Sequence, residues 1–140
     1  MKQIPVIFWT GTGNTQMMAD VIAEAINAAG AEAVVKNVSE ITADEAAGYA
    51  ALALGCPAMG AEVLEECEFE PFFTELEGKL VGKKVALFGS YGWGGSYMQD
   101  WEARVKDAGA ELVAAGVLAL GAPDDEAEAK LAEAGKLLAE

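Results

Sequence analysis

The residues of this chain best suited to chemistry are neither acids nor thiols but the hydroxyls, amide and glycines of "TGTGNT", residues 10–15. Thr10, Thr12 and Thr15 offer hydroxyls and Asn14 an amide, while Gly11 and Gly13 let the backbone come close to a ligand. The loop follows the apolar run Ile4–Trp9 and precedes the helix-like "QMMADVIAEAINAAG", so it lies between the carboxyl end of a strand and the amino end of a helix. Unpaired N–H groups and the positive end of a helix dipole suit an anion there. The plainer reading is that Asn14 or Thr15 only caps the helix. A P-loop is excluded because Thr12 alone separates the glycines and no lysine follows, and a dinucleotide fingerprint is excluded because its third glycine would be Gln16. What fits is a mononucleotide phosphate held without a cation.

Other chemistries have less to work with. The chain has no histidine, the usual zinc ligand and general base. Its two cysteines, Cys56 and Cys67, form no CxxC pair and read as small hydrophobes of a reduced, cytoplasmic protein, with neither a signal peptide nor an apolar run of membrane-spanning length. Nine Lys and Arg stand against 23 Asp and Glu, a formal charge of −14 that repels nucleic acid and anionic membranes and favours a basic protein surface as partner.

The elements that must position the loop follow from periodicity. At 140 residues the chain is one domain's worth, 1–140, able to bury about 70% of the surface it exposes unfolded. Apolar runs at Ile4–Trp9, Glu32–Val38, Tyr49–Gly55, Lys84–Ser90 and Leu112–Leu120 read as strands. Between them, Met18, Val21, Ile22, Ala25 and Ile26 form one helical face that stops at Gly30, and a capping box, Thr42-x-x-Glu45, opens a short helix. A third helix spans Tyr97 to Gly109 with Met98, Trp101 and Val105 inward, and the last begins at Asp124 behind Pro123. Pro5, lacking an N–H, is expected at its strand's first rung. The alternation predicts an α/β fold, a parallel sheet with helices on both faces, whose ligands bind beyond the strands' carboxyl ends.

"TGTGNT", "GCPAMGAEVLEECEFEPFF" and "GKKVALFGSYGWG", at this spacing, resemble the short-chain flavodoxins over almost the whole sequence. The resemblance implies a flavodoxin-like three-layer sandwich, a five-stranded parallel sheet of order 2-1-3-4-5, and a monomer that carries single electrons at low potential between redox enzymes. It implies a non-covalently bound FMN cycling between oxidised, semiquinone and hydroquinone forms. Residues Thr10, Gly11, Thr12, Gly13, Asn14 and Thr15 then bind the phosphate. Pro57, Ala58, Met59, Gly60, Ala61 and Glu62 lie against one flavin face, with Glu62 accepting the N3–H hydrogen bond, and Ser90, Tyr91, Gly92, Trp93 and Gly94 cover the other. Trp93 between glycines suits a lid on a flat ring better than core packing, although an aromatic loop anchor would look the same, and the thioether of Met59 suits the opposite face.

Five glutamates, Glu62, Glu65, Glu66, Glu68 and Glu70, run from the end of the second loop onward. Such a run is ordinarily a solvated face, but beside a flavin it raises the cost of a second negative charge and lowers the potential of the last electron. Trp9 and Trp101 read as structural. Pro57 and Ala61 stand where some relatives carry polar side chains, and "LALGAPDD" offers few polar groups near residue 120. An NAD(P)H-dependent quinone reductase of the same fold is the alternative, but its relatives have longer insertions than the short connections here. A phosphoacceptor receiver domain is excluded, since the strands end in Trp9-Thr10, Gly55-Cys56 and Leu120-Gly121 rather than in acids and a lysine.

Overall fold

A computed structural model of the protein describes residues 2–11, 13–57, 64–65, 67–91 and 97–140. The strands are β1 (Gln3–Phe8), β2 (Glu32–Asn37), β3 (Ala51–Gly55), β4 (Lys84–Tyr91), β5 (Glu111–Leu112) and β6 (Val117–Leu120). The helices are α1 (Asn14–Ala28), α2 (Ala43–Ala46), α3 (Phe69–Glu77), α4 (Tyr97–Asp107) and α5 (Asp125–Ala139), with a 3-10 turn at Val38–Glu40. All ladders are parallel and run in the order β2-β1-β3-β4-β5, with β6 also paired to β4. The flavodoxin-like order expected from the resemblance is the one observed.

Successive strand residues point to opposite faces, so a strand apolar throughout feeds two cores. Ile4, Val6 and Phe8 of β1 pack with Met18, Ile22 and Ile26 of α1 and Leu131 and Leu138 of α5, while Ile7 packs on the other face among α3 and α4. There Trp101 meets Phe69 and Phe73 edge-on at centroid distances of 5.5 and 5.9 Å, which bears out its structural reading. Of the expected face of α1, Met18, Ile22 and Ile26 are buried and Val21 and Ala25 only half-buried, while Ala19 and Ala23 are buried in their place. It unwinds through Gly30, whose φ of +94° is the left-handed conformation that glycine adopts freely. The Thr42/Glu45 capping box is made in both directions at 3.1 Å, and Asp124 caps α5 through the Ala127 N–H at 2.8 Å.

Three local expectations need correction. Pro5 is the third residue of β1, paired with Val34; its missing N–H is tolerated because pairing with β3 starts one residue later, at Val6. The stretch Leu112–Leu120 is not one strand but two, β5 against the start of β4 and β6 against its end, because the Gly116 N–H turns out of the ladder to the Glu102 carboxylate at 2.6 Å. Helix α3 has no counterpart among the predicted helices. Phe69, Phe72, Phe73 and Leu76 keep the i, i+3, i+4, i+7 spacing of a buried stripe, and Pro71 sits in the first turn, where no N–H is required.

Candidate functional site

The carboxyl ends of β1, β3 and β4 converge on the start of α1. The β1 ladder runs on one step, with the Trp9 N–H donating to the Gly55 carbonyl at 3.0 Å, before the chain turns. Within the turn the Gly13 N–H donates to Thr10 Oγ1 at 2.9 Å, and Gly13 takes φ +93°. Gly13 is therefore the N-cap, with no side-chain cap bond and no acidic residue in the first turn. The capping alternative falls: neither Asn14 nor Thr15 caps α1, and both lie inside the helix.

Thr15 points inward, 1% exposed, with Oγ1 3.4 Å from the Oγ of Ser90, itself 6% exposed at the end of β4. Two of the three predicted loops thus meet at a pair of buried hydroxyls. Helical N–H groups without a side-chain cap, a left-handed glycine and two hydroxyls form a donor set that fits a phosphate. Trp9, read as purely structural, has a second role: its ring lies against Gly11, so closely that a Cβ there would sit 3.2 Å away, and its Nε1–H donates to Glu68 Oε1 at 3.2 Å. It walls the loop and ties it to the start of α3.

Pro57 is half-buried just beyond β3, and Tyr91 is half-buried at the end of β4, its carbonyl accepting from the Gly121 N–H at 3.1 Å. Thr12, Ala58, Met59, Gly60, Ala61, Glu62, Gly92, Trp93 and Gly94 lie outside the described residues.

The acidic run is not a uniform solvated face. Glu65 is 5% exposed, and its carboxylate accepts from the N–H groups of Cys67 (2.8 Å), Glu68 (2.7 Å) and Phe69 (2.9 Å) at the start of α3. Burial works to raise its pKa, but the donors from Phe69, Glu68 and Cys67 outweigh it and hold the carboxyl below the usual carboxylate range. Glu70 is gripped by both terminal nitrogens of Arg104, at 2.8 and 2.9 Å, and that pairing likewise lowers its pKa. Of these two carboxylates, Glu70 has its charge paired with a guanidinium, while Glu65 stays ionised and is held by neutral backbone donors. The direction of Glu65 is not encoded in residue type, and only the apolar Phe69 and Phe72 after it hint that a cap is needed.

Cys56 directly follows β3, fully buried, with its thiol pushed up to about 12 by burial. Its carbonyl accepts from the buried Tyr97 hydroxyl at 2.8 Å. Neither residue stood out in the sequence as part of a site.

The fold and this cradle define a class: a doubly wound α/β protein that presents an anion-fitting set of donors at the switch point of its sheet. The flavodoxin family profile matches residues 6–135. The chain is 48% identical to a flavodoxin of Clostridium beijerinckii over 96% of its own length and 97% of the relative's. It is 45% identical to one of Megasphaera elsdenii, over 91% and 93%. It superposes on the solution structure of two-electron reduced Megasphaera elsdenii flavodoxin with a TM-score of 0.89 at 43% identity, covering 97% of this chain and 98% of that one. The chain belongs to the flavodoxins, FMN-binding proteins of electron transport.

Proposed function

We propose that this protein is a one-electron carrier at low potential, acting as one domain and as a monomer, with no substrate turnover of its own. The observation that carries the reading is the uncapped start of α1 at Gly13, facing the buried Thr15–Ser90 hydroxyl pair. FMN, when bound, supplies the redox chemistry by accepting and releasing single electrons. The protein's part is to bind, orient and exclude water. Backbone N–H groups of the first α1 turn and the hydroxyls of Thr15 and Ser90 hold the phosphate, while Thr10 braces the turn through Gly13. The sequence resemblance assigns residues 57–62 and 90–94 to the two sides of the flavin that would bind there.

A charge of −14 supports redox partners with basic docking faces and argues against nucleic acid. Among the described residues no helix is long and apolar enough to cross a membrane, and both cysteines are free, which accords with a cytoplasmic site of action. Titration of the apoprotein with FMN and with riboflavin tests the phosphate assignment. Thr15→Val is expected to weaken FMN about tenfold, the scale of one lost charge-assisted hydrogen bond, and riboflavin much less. Equal losses for both ligands would move the phosphate elsewhere, and rapid NAD(P)H:quinone turnover by the holoprotein would favour the reductase reading.

A further inference from the structure

The two loops assigned to the flavin faces are rooted on one residue. Cys56 donates its N–H to the Phe88 carbonyl at 3.1 Å, and its own carbonyl accepts the Tyr97 hydroxyl. Its sulfur accepts the Glu65 N–H at 3.3 Å and lies 3.5 Å from the Pro57 carbonyl, to which the thiol donates. The chain therefore leaves Cys56 into one loop and returns, nine residues later, to the same sulfur. The other loop lies between Tyr91, which ends β4, and Tyr97, which opens α4 and whose hydroxyl reaches the same residue's carbonyl.

The surroundings fix this arrangement. A Cβ on Gly89 would run into both the Cys56 carbonyl oxygen and the Tyr97 hydroxyl, so the bond passes over the bare backbone of a glycine. The buried Cys56 thiol and Tyr97 phenol stay protonated near neutrality, so both remain donors. Glu65 in turn is pinned by three N–H groups at the start of α3, those of Cys67, Glu68 and Phe69.

We propose that Cys56, Tyr97 and Glu65 form a clamp that couples the two flavin-facing loops, and that Tyr97 and Glu65 are positioning residues setting FMN affinity and potential through those loops. The inference rests on the FMN reading above. A loop whose ends are already fixed loses less entropy when it closes on a ligand, and two loops fixed to one residue cannot loosen independently.

The test uses FMN-loaded wild type, Tyr97→Phe and Glu65→Gln. Tyr97→Phe leaves the Cys56 carbonyl without its donor. Glu65→Gln can keep the Oε1 bonds to Glu68 and Phe69 but turns an NH2 toward the Cys67 N–H. As control, Gly135→Ala strains the α1/α5 contact, where a Cβ would lie 2.8 Å from the Ile22 carbonyl oxygen, far from both loops in the topology. Each clamp variant is expected to weaken FMN about tenfold, to shift the first-electron equilibrium at least about threefold, and to speed amide exchange in both 57–65 and 92–97. Gly135→Ala should lower stability and move neither equilibrium. Faster exchange confined to the altered residue's own loop, or potentials shifted no more than in Gly135→Ala, would overturn the clamp while leaving the FMN reading intact. A wild-type protein that takes up no FMN would overturn both. Should Glu65→Gln fail to fold, Tyr97→Phe alone decides.

Discussion

Arg104 is the one cation that α4 sends across to α3, and its replacement should be costly. Its Nη1 and Nη2 donate to Glu70, its Nε and Nη2 donate to Glu77 at 3.1 Å, and the guanidinium lies 4.7 Å from the centroid of the Phe73 ring. All three charged side chains are about a third exposed, so each ion pair is screened and contributes about 0.5–1 kcal/mol rather than a buried-pair value. The stacking adds about 0.5–1 kcal/mol. Arg104→Met should therefore cost about 2 kcal/mol, and in the variant Glu70 and Glu77 repel each other with no cation between them. At the usual slope for urea this lowers the unfolding midpoint by about 1 M. Because both the lost attraction and the new repulsion are Coulombic, raising the salt should roughly halve the loss, leaving the stacking component. Arg104→Lys should recover less than half, since an ammonium cannot bridge two carboxylates as a planar fork does. Urea titrations at fixed protein and FMN concentration, at low and high salt, supply the measurement. A loss below about 0.5 kcal/mol, or one indifferent to salt, would refute the assignment of a stabilising network.

Acid should reveal the two depressed carboxylates. With native pKa values held below the ordinary glutamate value of 4.5, Glu65 and Glu70 add stability that is complete above that value and is lost as pH falls through their native values. Wild type should lose urea resistance below about pH 4.5, and Glu65→Gln should flatten the slope there; an unchanged slope would mean that its three backbone bonds do not discriminate charge. Electron transfer to a basic redox partner should slow markedly with ionic strength in stopped flow, and a salt-independent rate would confine the acidic surface to solubility.

Much of this molecule is legible in its residues because each central strand is a run of apolar side chains that can only be buried on both faces. The stop at Gly30, the box at Thr42 and the cap at Asp124 are equally local, and all three are made as read. Features that depend on what crosses from elsewhere were not legible. The break between β5 and β6 exists because Glu102, on a helix, captures an amide of the strand. Within the site, residues 10–15 announce their chemistry by type, but that Thr15 rather than another hydroxyl turns inward to Ser90 is decided by helix phase. Glu65 was hidden among similar neighbours, since a glutamate in a run of glutamates carries no sign of which one folds back to cap a helix. Cys56 and Tyr97 were invisible for a related reason: their contribution runs through a backbone carbonyl, which every residue possesses.

The helix starts of this fold show how a binding site is left available. A side-chain cap is worth about 1 kcal/mol, and the fold supplies one almost wherever the described residues show a helix beginning. Asn37 caps the 3-10 turn, Thr42 caps α2, Asp124 caps α5, and Glu65 reaches from three residues back to serve α3. Helix α1, with fifteen residues and a start at the centre of the sheet's carboxyl edge, has none, and places at its N-cap a glycine in the left-handed region. If stability alone governed position 13, Asp, Asn or Ser with extended backbone would be better than glycine by about a few tenths of a kcal/mol. A side chain there would occupy the space and bond the amides that a phosphate requires. The forgone cap is recovered when the ligand binds, because whatever binds only the folded state stabilises it in proportion to RT ln(1 + [L]/Kd). On the proposed phosphate assignment, a helix start that lacks a side-chain cap in the unliganded protein gains its partner in the complex, which would tie the stability of this fold to its cofactor through the amides of that turn.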